Sequence, residues 1–333
     1  MTTTLYPASV YRLESPGRLV LDEESLDISS LPADGVAART LTSVISPGTE
    51  TAAFAGAPPL RPGKAYPRLV GYCNVAEVVA VGREVTDVKP GDRIATERSH
   101  RSAFVCPRAR VLARLAPDAD AAAAATTYLF CLGQHALLRA DARSETNVAV
   151  VGLGAVGLAA VAVARTAGCR VVAFSDQPFL RDKALRFGAH AAVGKDEGGA
   201  GAGIDVVVTT SNRWSDWRLA LDIARAGGTI AVLGFPGRTE GLPPFNPLAS
   251  QYLYDKQLSV IACGKMVEAP VAPHEVPFTL HRIYAHLLGL IGEGRLPGAE
   301  LVSEVIPWRE LESAYRRLSA REPGLVTLAL DWR

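Results

Sequence analysis

One short run limits what this chain can fold into more than any other: Val148-Ala-Val-Val-Gly-Leu-Gly-Ala-Val-Gly157. Its apolar start reads as a buried strand, and the glycines at 152, 154 and 157 open a helical stretch that continues to Ala167. In this pattern Gly152 permits the tight turn, Gly154 lets a pyrophosphate approach the backbone, and Gly157 lets helix and strand pack closely. Ala155 and Val156 begin the helix, where free N–H groups and the positive dipole end favour phosphate. A glycine pattern of this kind is weak alone. Here a strand precedes it, a helix follows it, and a second strand ends at Asp176, 19 residues after Gly157.

Asp176 falls where an acidic side chain binds the hydroxyls of an adenine ribose. A 2′-phosphate about 5 Å away would be repelled by roughly 3 kcal/mol at an effective dielectric of about 20. The spacing therefore favours NAD over NADP. Ser175, which is small, and Arg181, which is cationic, are the nearby residues that would help to accommodate a 2′-phosphate.

A length of 333 residues predicts about two domains, with apolar material for both cores. The formal net charge is +1 and no run of like charges occurs, so neither nucleic acid nor an acidic membrane is expected as a partner. The five cysteines are scattered and never form a C-x-x-C pair, which argues against a disulfide framework or a zinc ribbon. The N-terminal segment lacks the pattern of a signal peptide, and the most apolar stretch is broken by glycines. A cytoplasmic protein is the expectation.

Short β-like runs fill the first third: Arg18 to Leu21, Val36 to Ile45 and Val75 to Val81, punctuated by Gly and Pro. An alanine-rich helix begins after Asp118-Ala-Asp120. Strands then alternate with helices: Val148 to Val151, Leu158 to Ala167, Arg170 to Phe174, Arg181 to Phe187, Asp205 to Val208, Trp217 to Arg225 and Thr229 to Leu233. That alternation predicts a parallel sheet covered by helices. Near the end, Leu311, Tyr315 and Leu318 share a helical face, and Gly324 to Leu330 reads as a strand.

End to end, the chain resembles the medium-chain dehydrogenase/reductase superfamily. The likeness is carried by Ser46-Pro-Gly-Thr-Glu50, Pro67 to Gly71, Val79-Ala-Val-Gly82, Lys89-Pro-Gly-Asp-Arg93, the glycine loop, and Gly227 to Gly234. The resemblance implies an α/β Rossmann domain with a parallel, doubly wound sheet, inserted in a discontinuous GroES-like β domain. The GroES-like parts would be residues 1–128 and 266–333, the Rossmann domain 129–265, and the substrate cleft would lie where the two meet. Gly234 would join the cofactor site, and Leu258 to Ala262 would be the edge strand through which a homodimer forms.

Zinc-dependent members carry Cys-Gly-Thr-Asp where this chain has Pro47-Gly48-Thr49-Glu50, and Gly-His-Glu where it has Gly71-Tyr72-Cys73. The third ligand falls near Thr127. Pro, Tyr and Thr cannot reproduce a Cys/His/Cys site, and the four-cysteine structural lobe is missing too. No metal is expected. The Ser-Pro-Gly-Thr-Glu and Gly-Tyr pair, with the ending Leu328-Ala-Leu-Asp-Trp332, is most similar to the branch containing bacteriochlorophyllide a dehydrogenase.

Hydride arriving at a carbonyl carbon leaves an alkoxide that zinc would stabilise as a Lewis acid. Without zinc, hydroxyl or imidazole donors must serve. Tyr72 is the first candidate, against the plainer reading that it plugs the empty metal position. Thr49 matches a relay hydroxyl or is only a turn residue. Glu50 is an acid behind the site or an orienting group, and His100 an acid/base or a surface histidine. Tyr252 and Lys256 match the catalytic Tyr-x-x-x-Lys of short-chain dehydrogenases, but they fall between two Rossmann strands, outside the context that motif requires.

The leading function is a zinc-independent, NAD(P)-dependent oxidoreductase acting on a secondary alcohol or ketone. An NADPH-dependent enone or quinone reductase is the nearest alternative, and a non-catalytic dinucleotide-binding protein the third. The substrate would be a small molecule.

Overall fold

All of the run 35–44 except Arg39 is buried, and the strand it forms becomes the hub of the first of two units. The computed structural model describes residues 5–58, 65–197, 203–268, 271 and 276–333. Contacts divide the chain into Met1–Tyr128, Val267–Gly294 and Gly298–Arg333 on one side, and Leu129–Met266 with Arg295–Pro297 on the other.

The first unit opens with a hairpin, β1 (Leu5–Ser15) and β2 (Arg18–Asp27), turning at Gly17 with φ +71. Next come β3 (Gly35–Val44), α1 (Pro47–Phe54), β4 (Arg68–Leu69), β5 (Cys73–Val81), β6 (Arg93–Thr96), β7 (Ala103–Pro107) and β8 (Val111–Arg114). Helix α2 (Ala121–Ala125) starts where the Asp120 side chain accepts from the Ala122 and Ala123 N–H groups. Helix α3 (Thr127–Arg139) carries the chain into the second unit.

The second unit alternates β9 (Asn147–Val151), α4 (Ala155–Thr166), β10 (Arg170–Phe174), α5 (Pro178–Arg186), β11 (Ala191–Val193), β12 (Ile204–Thr209), α6 (Trp214–Ile223), β13 (Ala224–Val232), α7 (Ser250–Leu253) and β14 (Ser259–Ala262). All six strands are parallel, in the order β11-β10-β9-β12-β13-β14. The winding direction reverses between β9 and β12, and in such sheets ligands bind beyond the carboxyl ends of the strands at that reversal. The glycine loop leaves β9 at that end.

The chain then returns to the first unit with α8 (Leu280–Gly292), α9 (Gly298–Leu301), β15 (Glu304–Pro307), α10 (Leu311–Ser319) and β16 (Leu328–Asp331). Strand β16 pairs antiparallel with β3, closing the path β15-β16-β3-β5-β6-β8, with β7 also paired to β3. Leu311, Tyr315, Leu328, Leu330 and Trp332 pack there with Tyr11, Leu13 and Ile45 in one core.

Several boundaries differ from the sequence reading, and two of them have a clear local cause. The helix expected to reach Arg225 stops at Ile223, because Ala224 turns extended (φ −62, ψ 133) and pairs with Ile204. The last strand spans Leu328–Asp331; it does not begin at Gly324, whose φ of +87 belongs to a turn. Among the described residues, no helix is long and apolar enough to cross a membrane. The segments Gly56 to Ala65 and Met266 to Phe278 lie partly outside the described residues.

Candidate active site

The glycine loop of the second unit has the geometry of a phosphate cradle. Gly152 takes φ +94, which favours glycine, and the Thr210 hydroxyl donates to its carbonyl at 2.8 Å. A Cβ on Gly157 would lie 1.9 Å from the Gly152 carbonyl oxygen, so no other residue fits there. Gly154, in contrast, has nothing within 4 Å of where a Cβ would stand. It is also the N-cap of α4 and offers no side-chain acceptor, so the N–H groups of Ala155 and Val156 face outward for an anion. These residues fit a dinucleotide pyrophosphate.

Around the loop, Asp176 follows β10 with 45% of its side chain exposed, and Arg213 and Lys195 stand 3.3 Å and 3.8 Å from its carboxylate. Arg181 donates to the Ser175 carbonyl at 2.9 Å. Gly234 follows β13, where a Cβ would come within 2.2 Å of the Ser211 carbonyl oxygen; close packing of two strand ends suffices to explain this glycine.

Of the short-chain-like pair, Lys256 is spent on structure. Its ammonium donates to the carbonyls of Leu221, Asp222 and Ala224 at 2.9, 2.8 and 2.9 Å, capping the end of α6. Tyr252 is buried with its hydroxyl unpartnered.

The first unit gathers the residues singled out for proton chemistry. Ser46 is the N-cap of α1, yet its hydroxyl does not cap; it accepts a hydrogen bond from the Tyr72 phenol. Thr49, in the first turn of α1, lies near enough to the Tyr72 hydroxyl to favour its ionised form slightly. Burial, then the nearby Cys73, holds the phenol well above its usual range, so Tyr72 stays protonated. The Tyr128 ring stands edge-on to Tyr72 with centroids 5.1 Å apart. Its hydroxyl bonds Glu97, whose carboxyl is pushed up by burial and then by Glu268.

Glu50 and His100 lie deeper. Glu50 accepts from the Ser46 N–H at 2.6 Å through Oε1, and from the Tyr315 hydroxyl at 2.6 Å through Oε2. The His100 Nε2 sits 2.8 Å from the same Oε2. On the other side of the ring, Nδ1 is 2.8 Å from the Ser43 hydroxyl, which accepts from the Trp332 indole at 2.9 Å. With the indole donating to Ser43, the arrangement in which the serine hydrogen goes to Nδ1 leaves the His100 hydrogen on Nε2, facing the Glu50 carboxylate. Gly71, at φ +88, leaves room for this ring: a Cβ there would fall 2.7 Å from it. His100 is 0% exposed and Glu50 2%. His100 is therefore no surface histidine, and the protein partners that take the polar atoms of both side chains fit the orienting role read for Glu50. The two side chains hold the α1 turn that carries Ser46 and Thr49.

The three positions at which the resemblance expects zinc ligands, Pro47, Tyr72 and Thr127, offer the ion no fitting donor set. The Pro47 side chain has no ligating atom, the Tyr72 hydroxyl donates to Ser46, and Thr127 donates to the Ala124 carbonyl at 2.7 Å. A neutral phenol and a helix-bonded hydroxyl are poor partners for a cation that selects thiolate, imidazole and carboxylate. Among the described residues, no group of three or more His, Cys, Asp or Glu is placed to hold a metal.

Sequence reading did not find Ser43, Ser46, Tyr128, Glu97, Tyr315 or Trp332 as parts of this cluster. Tyr315 carried the one available signal, a tyrosine on an otherwise apolar helical face. Its phenol had to find a partner once buried.

Residues 155–269, about a third of the chain, match the family model described as zinc-binding dehydrogenase. That stretch contains α4 and the rest of the parallel sheet but none of Pro47, Tyr72 and Thr127. The NADP-dependent isopropanol dehydrogenase of Thermoanaerobacter brockii is 28% identical over 54% of this chain and 64% of its own length. The sorbitol dehydrogenase of Bacillus subtilis is 26% identical over 58% of this chain and 65% of its own length. The chain thus spans just under two thirds of these two relatives. Among solved structures, L-idonate 5-dehydrogenase from Escherichia coli superimposes with a TM-score of 0.82 at 15% identity, covering 99% of this chain and 100% of its own. The alcohol dehydrogenase from a Thermus species gives 0.74 at 20% identity, covering 97% and 99%. The fold is therefore the expected one, an α/β Rossmann domain inserted in a discontinuous GroES-like β domain. Residues 155–269 are thus similar to zinc-binding dehydrogenases, and the two relatives named are similar over a little more than half of the chain.

Proposed function

We propose that this protein is a nicotinamide-dependent oxidoreductase of the medium-chain type that interconverts a secondary alcohol and a ketone without zinc. The observation that carries the reading is the Tyr72 phenol, which takes a position where the resemblance expects a zinc ligand, is hydrogen-bonded to the Ser46 hydroxyl and has Thr49 nearby. Bound nicotinamide dinucleotide supplies or accepts the hydride. In reduction, Tyr72 gives its proton to the carbonyl oxygen as the hydride reaches carbon, the Ser46 hydroxyl stabilises the phenolate by donating to it, and a proton from water restores the phenol after the alcohol leaves. A phenol held above its usual range is still far more acidic than a secondary alkoxide's conjugate acid, so the transfer runs downhill toward the alcohol. Tyr128, anchored on Glu97, walls the phenol on one side.

The relatives' names support this class, being alcohol and polyol dehydrogenases. A homodimer formed along β14, the edge strand of the parallel sheet, belongs to the same reading.

Cyclohex-2-enone separates carbonyl reduction from conjugate reduction, because one substrate offers both sites. The expected product is the allylic alcohol, identified by gas chromatography with NADH and with NADPH. Cyclohexanone as the main product would show hydride delivery to the alkene carbon and would replace this reading with enone reduction.

A further inference from the structure

The adenosine end of the second unit carries more positive charge than the sequence spacing implies. The acidic residue after β10 argues for NAD on the assumption of a bare carboxylate. In the structure each Asp176 oxygen already faces a cation: Oδ2 lies 3.3 Å from the Arg213 guanidinium and Oδ1 3.8 Å from the Lys195 ammonium. Lys195 is pinned a second time, 2.8 Å from Asp216, a carboxylate whose side chain is 2% exposed. Arg181 stands at the same edge, bonded to the Ser175 carbonyl. Three cations thus surround the Asp176 carboxylate, while Asp216, which holds Lys195, is buried away from any ligand.

These groups come from the segments following β10, β11 and β12 and from α5, all at the carboxyl ends of the parallel strands, where a dinucleotide binds. They differ in mobility. Lys195 is held on two sides and supplies fixed charge. Arg213 is 44% exposed and touches Asp176 through one nitrogen. Its remaining N–H groups present the planar fork that suits a phosphate.

We propose that Arg213, backed by Lys195 and Arg181, receives the 2′-phosphate of NADP(H), so that the site accepts both dinucleotides. This rests on the nicotinamide reading above and adds its selectivity. With NADH, Asp176 takes the ribose hydroxyls and keeps its cations. With NADPH, Arg213 turns from the carboxylate to the phosphate, and Lys195 continues to screen Asp176.

The test is a titration of purified protein with NADH and with NADPH, followed by nicotinamide fluorescence, for the wild type and for Arg213→Ala and Arg213→Gln. Both replacements are at an exposed side chain, and melting curves check that they fold. The wild type is expected to bind the two cofactors within about tenfold of each other, and each variant to lose about five- to fiftyfold in NADPH affinity. Their NADH affinity should change by less than about twofold. NADH binding more than about a hundredfold tighter in the wild type, or equal losses for both cofactors in the variants, would overturn the assignment and leave the dinucleotide reading intact. Binding of neither cofactor would remove both.

Discussion

Replacing Tyr72 with phenylalanine is expected to lower ketone turnover by about 10²- to 10⁴-fold while leaving NADH and NADPH affinity unchanged. The ring, its edge-on contact with Tyr128 and the local packing all survive; only the hydroxyl is lost. The loss should therefore appear in kcat more than in KM, as for a group that acts on charge developing in the transition state. Ser46 and Thr49 would still face the site, so a residual rate is expected. Steady-state reduction of cyclohexanone with either cofactor, beside a fluorescence titration, makes the comparison. Unchanged turnover would make Tyr72 a filler of the vacated metal position and move the search for the acid to Thr49 and Tyr128.

Replacing Glu50 with leucine should damage the fold before it touches the chemistry. Three buried donors lose their acceptor together: the Ser46 N–H, the His100 Nε2–H and the Tyr315 hydroxyl. An orphaned buried donor costs about 1–3 kcal/mol, so even with partial relaxation the total reaches about 4 kcal/mol. That is a large share of the roughly 5–15 kcal/mol that stabilises a typical domain. At about 2–4 °C per kcal/mol for a unit of this size, the melting temperature should fall by about 10 °C or more. Tyr315→Phe, which keeps the ring and removes one of the three bonds, should cost only about 1–1.5 kcal/mol. Calorimetry on the two variants reads the contrast, and a Glu50→Leu protein melting with the wild type would show that the buried network contributes nothing.

The parallel sheet was legible because its signals are local. An apolar strand, a glycine loop and an amphipathic helix each occupy fewer than about 15 consecutive residues, within the reach of periodicity arguments. Strand β11 escaped because Ala191-Ala-Val193 has neither the length nor the branching to stand out. The helix end at Ile223 was overrun because only pairing with Ile204, a tertiary contact, makes Ala224 extended. The same distinction divides the site. Tyr72 and Thr49 lie in short motifs whose departures from a family pattern can be read directly. The groups that bind the buried network together are far apart in sequence: Ser43 meets Trp332 across 289 residues, and Glu50 meets Tyr315 across 265. No window along the chain brings them together; β3, α1, α10 and the residue after β16 do so in space. At the adenosine end the carboxylate was legible and its charge environment was not. Lys195 and Arg213 reach Asp176 from the ends of two other strands, which only the sheet order places beside it.

The central claim is proton donation by a phenol in place of Lewis-acid catalysis by zinc, and metal removal tests it most directly. Protein treated with chelator, and shown by elemental analysis to hold far less than one zinc per chain, is assayed for cyclohexanone reduction before and after zinc is restored. The account predicts the same turnover in both states, with the activity lost only in the Tyr72→Phe variant. Turnover that disappears with the metal and returns with zinc would contradict it.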